Sequence, residues 1–422
     1  MSTALQRTFG TPTNNKIFTL SLWLKRAASN TNNTIPLMQG GGVSRPTSEI
    51  VLNSEAIALS QFDGAGYNYN VRAYYKARDV SAWYHIVYIF DSTQSTASDR
   101  VKFYMNGVLQ NYNMQNTDYP TLNYVPAMNG ATSHAIGGSV FGAFSGSAKC
   151  IMSHIHFTDG TAYDPSYFGE TDSTTGEWKI KTDVSVTYGN NGFFILKDDN
   201  SVTDQSGEGN NWTVGAGTLT KTEDNPSNVF CTWNSNYRGT RKDMTLTNGN
   251  TFIFEQNSGD SAVSGTIAVS SGKYYWEQII AQVNGTNAAV IGGLHTTEDF
   301  NESPTDALSN NTCGMRANGN VYKNGSNLGN FTTADPNGDI FGIGFDADNG
   351  SVYFWRNGTA LNSGNAIITG LDMTKTWIPF GVQHGGARVT TSTNFGNGYF
   401  QTTAISSAGT NASGNGIFEY DV

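Results

Sequence analysis

Hydrophobic positions in this chain recur with a period of two over short runs, and clusters rich in Gly, Asn, Ser and Thr separate those runs. The clearest case is Val352-Tyr353-Phe354-Trp355-Arg356-Asn357-Gly358. In an extended chain Val352 and Phe354 share one side, and Tyr353 and Trp355 share the other. A half-buried strand needs that alternation, and Asn-Gly supplies the positive φ of a tight hairpin turn. A near copy, Val101-Lys102-Phe103-Tyr104-Met105-Asn106-Gly107, stands in the first half of the chain, and each copy is followed by a short return strand, Val108-Leu109 or Thr359-Ala360-Leu361. The repeated unit predicts an all-β chain of two antiparallel β-sandwiches in series.

The first sandwich is expected to open with Lys16–Lys25 and to continue through strands at Ile35–Gln39, Glu49–Leu59 and Tyr67–Lys76. Ala82–Asp91 is apolar on both alternations, which predicts burial on both faces of its sheet. Arg100–Asn106, Ala135–Val140 and Cys150–Phe157 complete it. From Asp159 to about Trp233 the alternation breaks. Trp178, Phe193, Phe194, Trp212 and Phe230 make this stretch too apolar for a disordered linker, so an ordered connector packed on one or both sandwiches is expected. The expected layout is 1–165 first sandwich, 166–235 connector, 236–400 second sandwich, and 401–422 a tail with one strand.

Composition agrees. The 422 residues exceed a single core, and 48 Gly, 12% aromatics and only 14% charged residues suit many short strands joined by polar turns. The net charge of -10 argues against a nucleic-acid partner. The three cysteines, Cys150, Cys231 and Cys313, are odd in number and far apart, so buried free thiols are expected. The stretch before Lys16 is polar and the apolar run Phe18–Leu24 is too short to span a bilayer, which predicts a soluble protein made in the cytoplasm, without membrane insertion.

Signatures of catalysis are missing: there is no Gly-x-Ser-x-Gly elbow, His-Glu-x-x-His or phosphate loop. The acidic run nearest to a glycosidase pattern, Glu298-Asp299-Phe300-Asn301-Glu302, lacks the alternation that would put two carboxylates on one sheet face. No enzymatic activity is expected. Asp346-Ala347-Asp348-Asn349-Gly350 has carboxylates at alternate positions, as a calcium loop would, but Asn357 stands where an EF-hand loop needs Glu, and a polar hairpin turn explains the run better. His154-Ile155-His156 would place two imidazoles on one strand face, a weak candidate for a metal site. His85 reads as a core histidine. The aromatics are the better lead. Tyr353 and Trp355 should point away from the core, and Tyr67, Tyr69, Tyr74 and Tyr75, interleaved with Asn68, Asn70 and Arg72, form a second candidate ligand or interface surface. Trp178, Phe193 and Trp212 are candidates for domain or subunit contacts.

The order of a strand, Trp83-Tyr84-His85-Ile86-Val87 and Val101–Gly107 resembles the laminin-G-like, concanavalin A-type sandwich from Leu5 to about Tyr163. Asp204-Gln205-Ser206-Gly207-Glu208-Gly209-Asn210 is similar to the opening of a further repeat of that kind, one that does not develop. Gly265–Glu277, Ala289–Leu294, Gly338–Asp346, Gly350–Gly358, Trp377–Gly381 and Asn394–Gly396 resemble, in order, the strands of SPRY domains, which are binding modules. The whole series resembles a family of tailed-phage virion proteins of the marine type. That resemblance implies a structural protein of the particle surface, a fibre or decoration, contacting host-surface glycan or receptor, or other virion proteins. The alternatives are a glycan-degrading tail enzyme and a purely structural subunit. Laminin-G-like relatives imply calcium at a sandwich edge in some cases, with no ligands assigned here, and relatives that continue further imply that the C-terminal element is incomplete. The first sandwich starts at Lys16, which leaves no shaft or adaptor before it, so attachment is expected through folded surface. A closed homo-oligomer, a trimer rather than a dimer, with the SPRY-like loops outward, is the expected outcome by light scattering of the recombinant chain and microscopy of the particle.

Overall fold

A computed structural model describes residues 3–27, 34–42, 46–53, 56–63, 65–73, 77, 79–113, 119–140, 145–146, 150–197, 201–238, 244–255, 261–283, 290–297, 311–333, 337–383, 389–406 and 415–420. The chain divides into two compact units, Met1–Thr220 with Asn225–Ser227, and Lys221–Asp224 with Asn228–Val422. Among the described residues there is no α-helix, and the strands of the sheets pair antiparallel.

In the first unit, one sheet runs in the order Tyr112–Asn113, Tyr67–Ala73, Ala56–Phe62, Thr47–Asn53, Thr34–Gly41, Ser133–Ile136, Ala4–Thr8, Thr213–Ala216. The other runs Phe193–Ile195, Cys150–Asp159, Ile17–Arg26, Trp83–Asp91, Val101–Met105, Val108–Leu109. Alternate residues of the two meet in one core: Leu20, Leu22, Ile86, Tyr88, Phe103 and Phe157 face Met38, Ile50, Leu52, Leu59 and Val71. The single strand expected across Glu49–Leu59 is a hairpin, with Asn53 opposite Ala56.

The second unit repeats the plan. One sheet runs Trp233–Arg238, Ser261–Gly265, Trp377–Gln383, Val290–Thr296, Thr312–Arg316, Asn320–Lys323, Ser326–Asn330. The other runs Met244–Thr247, Phe252–Glu255, Val389–Asn394, Lys273–Val283, Ile340–Asp346, Ser351–Arg356, Thr359–Ala360. Trp276, Ile343, Phe345, Val352 and Phe354 pack on Val263, Leu294, Met315 and Trp377 between them.

The two Asn-Gly hairpins carry the same hydrogen bonds. The Asn106 amide N–H donates to the His85 carbonyl at 2.9 Å, and its side-chain oxygen accepts the His85 N–H at 2.8 Å. Asn357 makes both bonds with Ile340, at 2.8 and 2.9 Å. In each case the Asn has positive φ, 48° and 49°, which Asn tolerates better than most residues.

The stretch after Asp159 is not a separate connector: up to Thr220 it belongs to the first unit. Phe193–Ile195 extends one sheet, with Ile195 opposite Ile155, and Thr213–Ala216 extends the other along Ala4–Thr8. Phe193 and Trp212 are 0% and 2% exposed and meet edge to face at 5.0 Å inside the core, so neither is available as a subunit contact. Their placement follows from the sheets, each of which has an edge this segment can pair with. The run Asp204–Trp212 opens no further repeat. The Asp204 carboxylate accepts the N–H groups of Phe194, Ser206 and Asn210 at 2.8–2.9 Å, closing the segment into a loop. Phe193→Ala and Trp212→Ala should each cost the first unit about 3–5 kcal/mol in urea unfolding, as core aromatics do; wild-type stability in either variant would contradict this packing.

Candidate functional site

The outward rows of the second unit meet at three strands. Register places Tyr275, Gly344 and Tyr353 side by side, and Glu277, Gly342 and Trp355 side by side in the next row of that face. The intervening Trp276, Ile343 and Phe354 face the core, so these rows face out. Gly342 and Gly344 leave room for the rings. A Cβ at 344 would lie 3.0 Å from the Trp355 ring, and one at 342 would lie 2.5 Å from the Tyr275 hydroxyl. Tyr275 and Trp355 meet edge to face at 6.0 Å, and Tyr353 and Trp355 are inclined at 30° with centroids 6.2 Å apart. All three are half-buried. Arg356, on the other face of the strand, lies over the Phe341 ring and donates to Asp339 at 2.7 Å and to Thr332 and Thr333, and the Asn357 side-chain amide donates to Asp339 at 2.7 Å, which fixes the end of the strand that carries Trp355. The result is a rigid aromatic face on a glycine floor.

The tyrosine surface expected in the first unit divides. Tyr67 is 53% exposed and edge-on to Phe62 at 5.2 Å, whereas Tyr69 is 1% exposed and belongs to the core. Residues two apart should share a face, but the pairing slips here: Tyr69 opposes Gln61 while Tyr67 opposes the adjacent Phe62, and the slip turns the two rings to opposite faces. Tyr74 and Tyr75 lie outside the described residues. Beside Tyr67's strand the register aligns Gln39, Glu49, Ser60 and Asn70, a polar row the linear reading missed. Gln39 and Ser60 donate to Glu49 at 3.3 and 3.1 Å. Alternate polar residues within otherwise apolar strands were the available signal.

The described histidines are held by the fold. His85 lies between Trp23 and Trp178, with ring centroids 4.8 and 5.9 Å away. Trp178 Nε1–H donates to its Nδ1 at 2.9 Å, so Nε2 carries the proton and donates to Ser21 Oγ at 2.9 Å. Trp178, expected near a domain or subunit contact, is half-buried on this histidine within the first unit. His156 stacks on Phe194 at 3.8 Å and bonds Tyr188 through Nδ1 at 2.8 Å, while His154 sits at φ 48° in a bulge against Ser153. The strand does not present them as an open chelating pair, because the bulge interrupts the alternation and burial closes in His156. Burial pushes His85 down to about 3, His134 and His295 to about 4, and His156 well below the ordinary value.

The carboxylates of Asp346-Ala347-Asp348 are engaged as in a turn. Asp346 accepts the N–H groups of Asp348 and Asn349 at 3.1 Å, and Asp348 accepts that of Gly272 at 2.7 Å. Among the described residues no group of three or more His, Cys, Asp or Glu is placed to hold a metal ion. Glu298–Glu302 lies outside them. None of the three cysteines forms a disulfide; burial pushes the Cys150 and Cys313 thiols up to about 12. Among the described residues no helix is long and apolar enough to cross a membrane.

Residues 3–147 match the concanavalin A-like lectin/glucanases superfamily. The match ends just before the Cys150–Asp159 strand and the segment that covers it. The sandwich of the first unit is thus similar in fold to concanavalin A-like domains over those residues. Similar solved structures include the SPRY domain of human HERC1 (18% identical, covering 38% of this chain and 96% of that one, TM-score 0.32) and the PSpry domain of TRIM65 (12%, 40% and 93%, TM-score 0.31). The CBM40 module of a Ruminococcus gnavus IT-sialidase bound to alpha2,3 sialyllactose is also similar (15%, 32% and 74%, TM-score 0.23). Likeness at these scores carries no inference about ligands. A search of curated proteins gave no match.

Four buried histidines, His85, His134, His156 and His295, set an acid response. Above pH 6.5 they are neutral folded or unfolded; below it the unfolded chain binds protons that the folded chain cannot, so stability falls as pH falls from 6.5 toward the folded values. Each contributes up to about 1.4 kcal/mol per pH unit in that window. Three of them, His85, His134 and His156, are in the first unit and His295 is in the second. Urea unfolding between pH 6.5 and 4.5 should show the first unit losing stability more steeply; equal slopes would refute the assignment.

Proposed function

We propose that this chain is a non-enzymatic structural protein of a bacteriophage particle, of fibre or decoration type, and that its Tyr275, Tyr353 and Trp355 face contacts host-surface glycan or another virion protein. The carrying observation is the aromatic face itself. Its rings are set on Gly342 and Gly344, and Tyr275 and Trp355 brace each other edge to face. Rings already held in place lose little freedom on binding, and flat apolar faces beside hydrogen-bonding groups suit both sugar rings and protein partners. The concanavalin A-like first unit supports a binding role, and the ordered resemblance along the whole chain supports the particle context and an oligomeric assembly at its surface.

The buried acids favour binding over catalysis. Glu277 accepts from Asn394, from the backbone of Glu419 and Tyr420, and from Tyr275; burial pushes its pKa up, against those bonds. Asp159 accepts from Thr13, Asn14, Asn129 and Asn191. A glycoside hydrolase needs two opposed carboxyl groups facing substrate, whereas these two are occupied by the fold.

Trp355→Ala should destabilise the second unit by less than the about 3–5 kcal/mol of a core aromatic. It should weaken binding by about 2 kcal/mol or more, roughly 30-fold. Thermal melting, paired with binding to a glycan panel and to particles lacking the protein, reads both. A variant that melts far below wild type yet binds normally would reject this face.

A further inference from the structure

Residues 415–420 lie on the second unit through contacts that read the segment's backbone. The two carboxylate oxygens of Glu277, which is 0% exposed, accept the N–H groups of Glu419 and Tyr420, both at 2.9 Å. Asn394 Nδ2 donates to the Ile417 carbonyl at 2.8 Å, and the Ile417 N–H donates to the Gly396 carbonyl at 2.9 Å in a parallel bridge. Side chains add a sequence requirement. Phe418, 3% exposed, meets Tyr275 edge to face at 4.9 Å, and the Tyr420 ring covers Gly358. Gly416 has φ 84°, and a Cβ there would lie 2.9 Å from the Gly396 Cα.

The receiving surface is set by the body of the unit. Asn394 Oδ1 accepts the N–H groups of Gly396 and Gly398 at 2.9 and 3.0 Å, which fixes its amide so that Nδ2 faces both Glu277 and the segment. The Tyr275 hydroxyl and the central strand Lys273–Val283 position Glu277. A preformed acceptor, a preformed donor, a ring pocket and a glycine-only crossing are the parts with which proteins recognise extended peptides: main-chain bonds give affinity and pockets give specificity.

We propose that this surface is a peptide-recognition groove, and that the Gly416–Tyr420 segment of a second copy of the chain can fill it in place of the chain's own, linking copies. The occupant follows from the requirements, since Gly, one residue, then Phe, with free N–H groups one and two positions later, is this chain's own sequence. The chain's own segment is favoured by its tether, because a covalently linked ligand acts at high effective concentration. Exchange therefore shows when the resident segment is weakened. The inference is independent of any ligand of Trp355.

The experiment uses full-length Phe418→Ala and a fluorescent peptide of residues 411–422, read by anisotropy, with circular dichroism to confirm folding. The variant should bind the peptide saturably, wild type at least about tenfold more weakly, and Phe418→Ala with Glu277→Gln at least about tenfold more weakly than Phe418→Ala alone. No saturable binding to the folded variant up to about 1 mM, or binding indifferent to Glu277→Gln, would overturn the proposal. If Phe418→Ala does not fold, hydrogen exchange of wild type decides. The amides of Ile417, Glu419 and Tyr420 should exchange at least about tenfold faster than those of Lys273–Val283, and equal protection would show that the segment leaves only with the whole unit.

Discussion

A strand buried on both faces must be covered twice, and in the first unit the opposing sheet can cover only one of them. Every residue of Trp83–Asp91 is buried. Its inward residues Tyr84, Ile86, Tyr88 and Phe90 meet the core. The outward ones need another layer, and residues 160–196 supply it: Trp178 and Ile180 lie over Trp23 and Trp83, and Tyr163, Phe168, Val184 and Val186 lie over Val87 and Ile89. Burial on that scale accounts for why a stretch without strand periodicity is ordered, since apolar area removed from water contributes about 25 cal/mol per Å². His85 is a polar residue on the covered face. Ser21 and Trp178 satisfy its two nitrogens, and an unpaired imidazole there would cost about 1–3 kcal/mol.

The Asn-Gly hairpins show one local rule meeting two different covers. Asn106 and Asn357 clamp the neighbouring strand in the same way, and the glycine after each has positive φ, 77° and 74°. Beyond the turn the units diverge. A Cβ on Gly107 would strike the Trp178 ring, and one on Gly358 would strike the Tyr420 ring, both at 2.6 Å. In each unit a segment far downstream lays an aromatic ring on the bare turn. The glycine therefore answers two demands, a left-handed backbone and close approach of a ring, and no other residue meets both.

Period-two alternation made the fold class, the two hairpins, the fully buried strand and the outward facing of Tyr353 and Trp355 legible from the sequence. It failed where pairing slips by one residue. Tyr67 and Tyr69 look equivalent in the sequence, as do His154 and His156, but a bulge in each strand undoes the inference from spacing to face. The role of 166–220 was illegible for another reason. Phe193–Ile195 and Thr213–Ala216 are short edge strands whose partners lie far away in sequence, at Ile155–Phe157 and Ala4–Gln6, and nothing local marks such pairings. The aromatic face was half legible: Trp355 could be assigned an outward direction, but Tyr275 joins it only through register across Ile340–Asp346. The glycines that seat both rings resemble ordinary strand glycines until that register is known.

Tyr275 connects the aromatic face to the C-terminal segment. One edge of its ring meets Trp355, another meets Phe418, and its hydroxyl donates to Glu277, the acceptor for the Glu419 and Tyr420 amides. A tyrosine over bare glycine would otherwise have room to change rotamer, and each freed rotamer is entropy to be lost again on binding. Phe418 and Glu277 remove that freedom from one side and Gly342 sets the depth at which the ring rests. The order of the exposed face thus depends on a segment that touches neither Tyr353 nor Trp355 in any ring contact among the described residues. The strands fix the spacing of this face, and the C-terminal segment holds one of its rings in place.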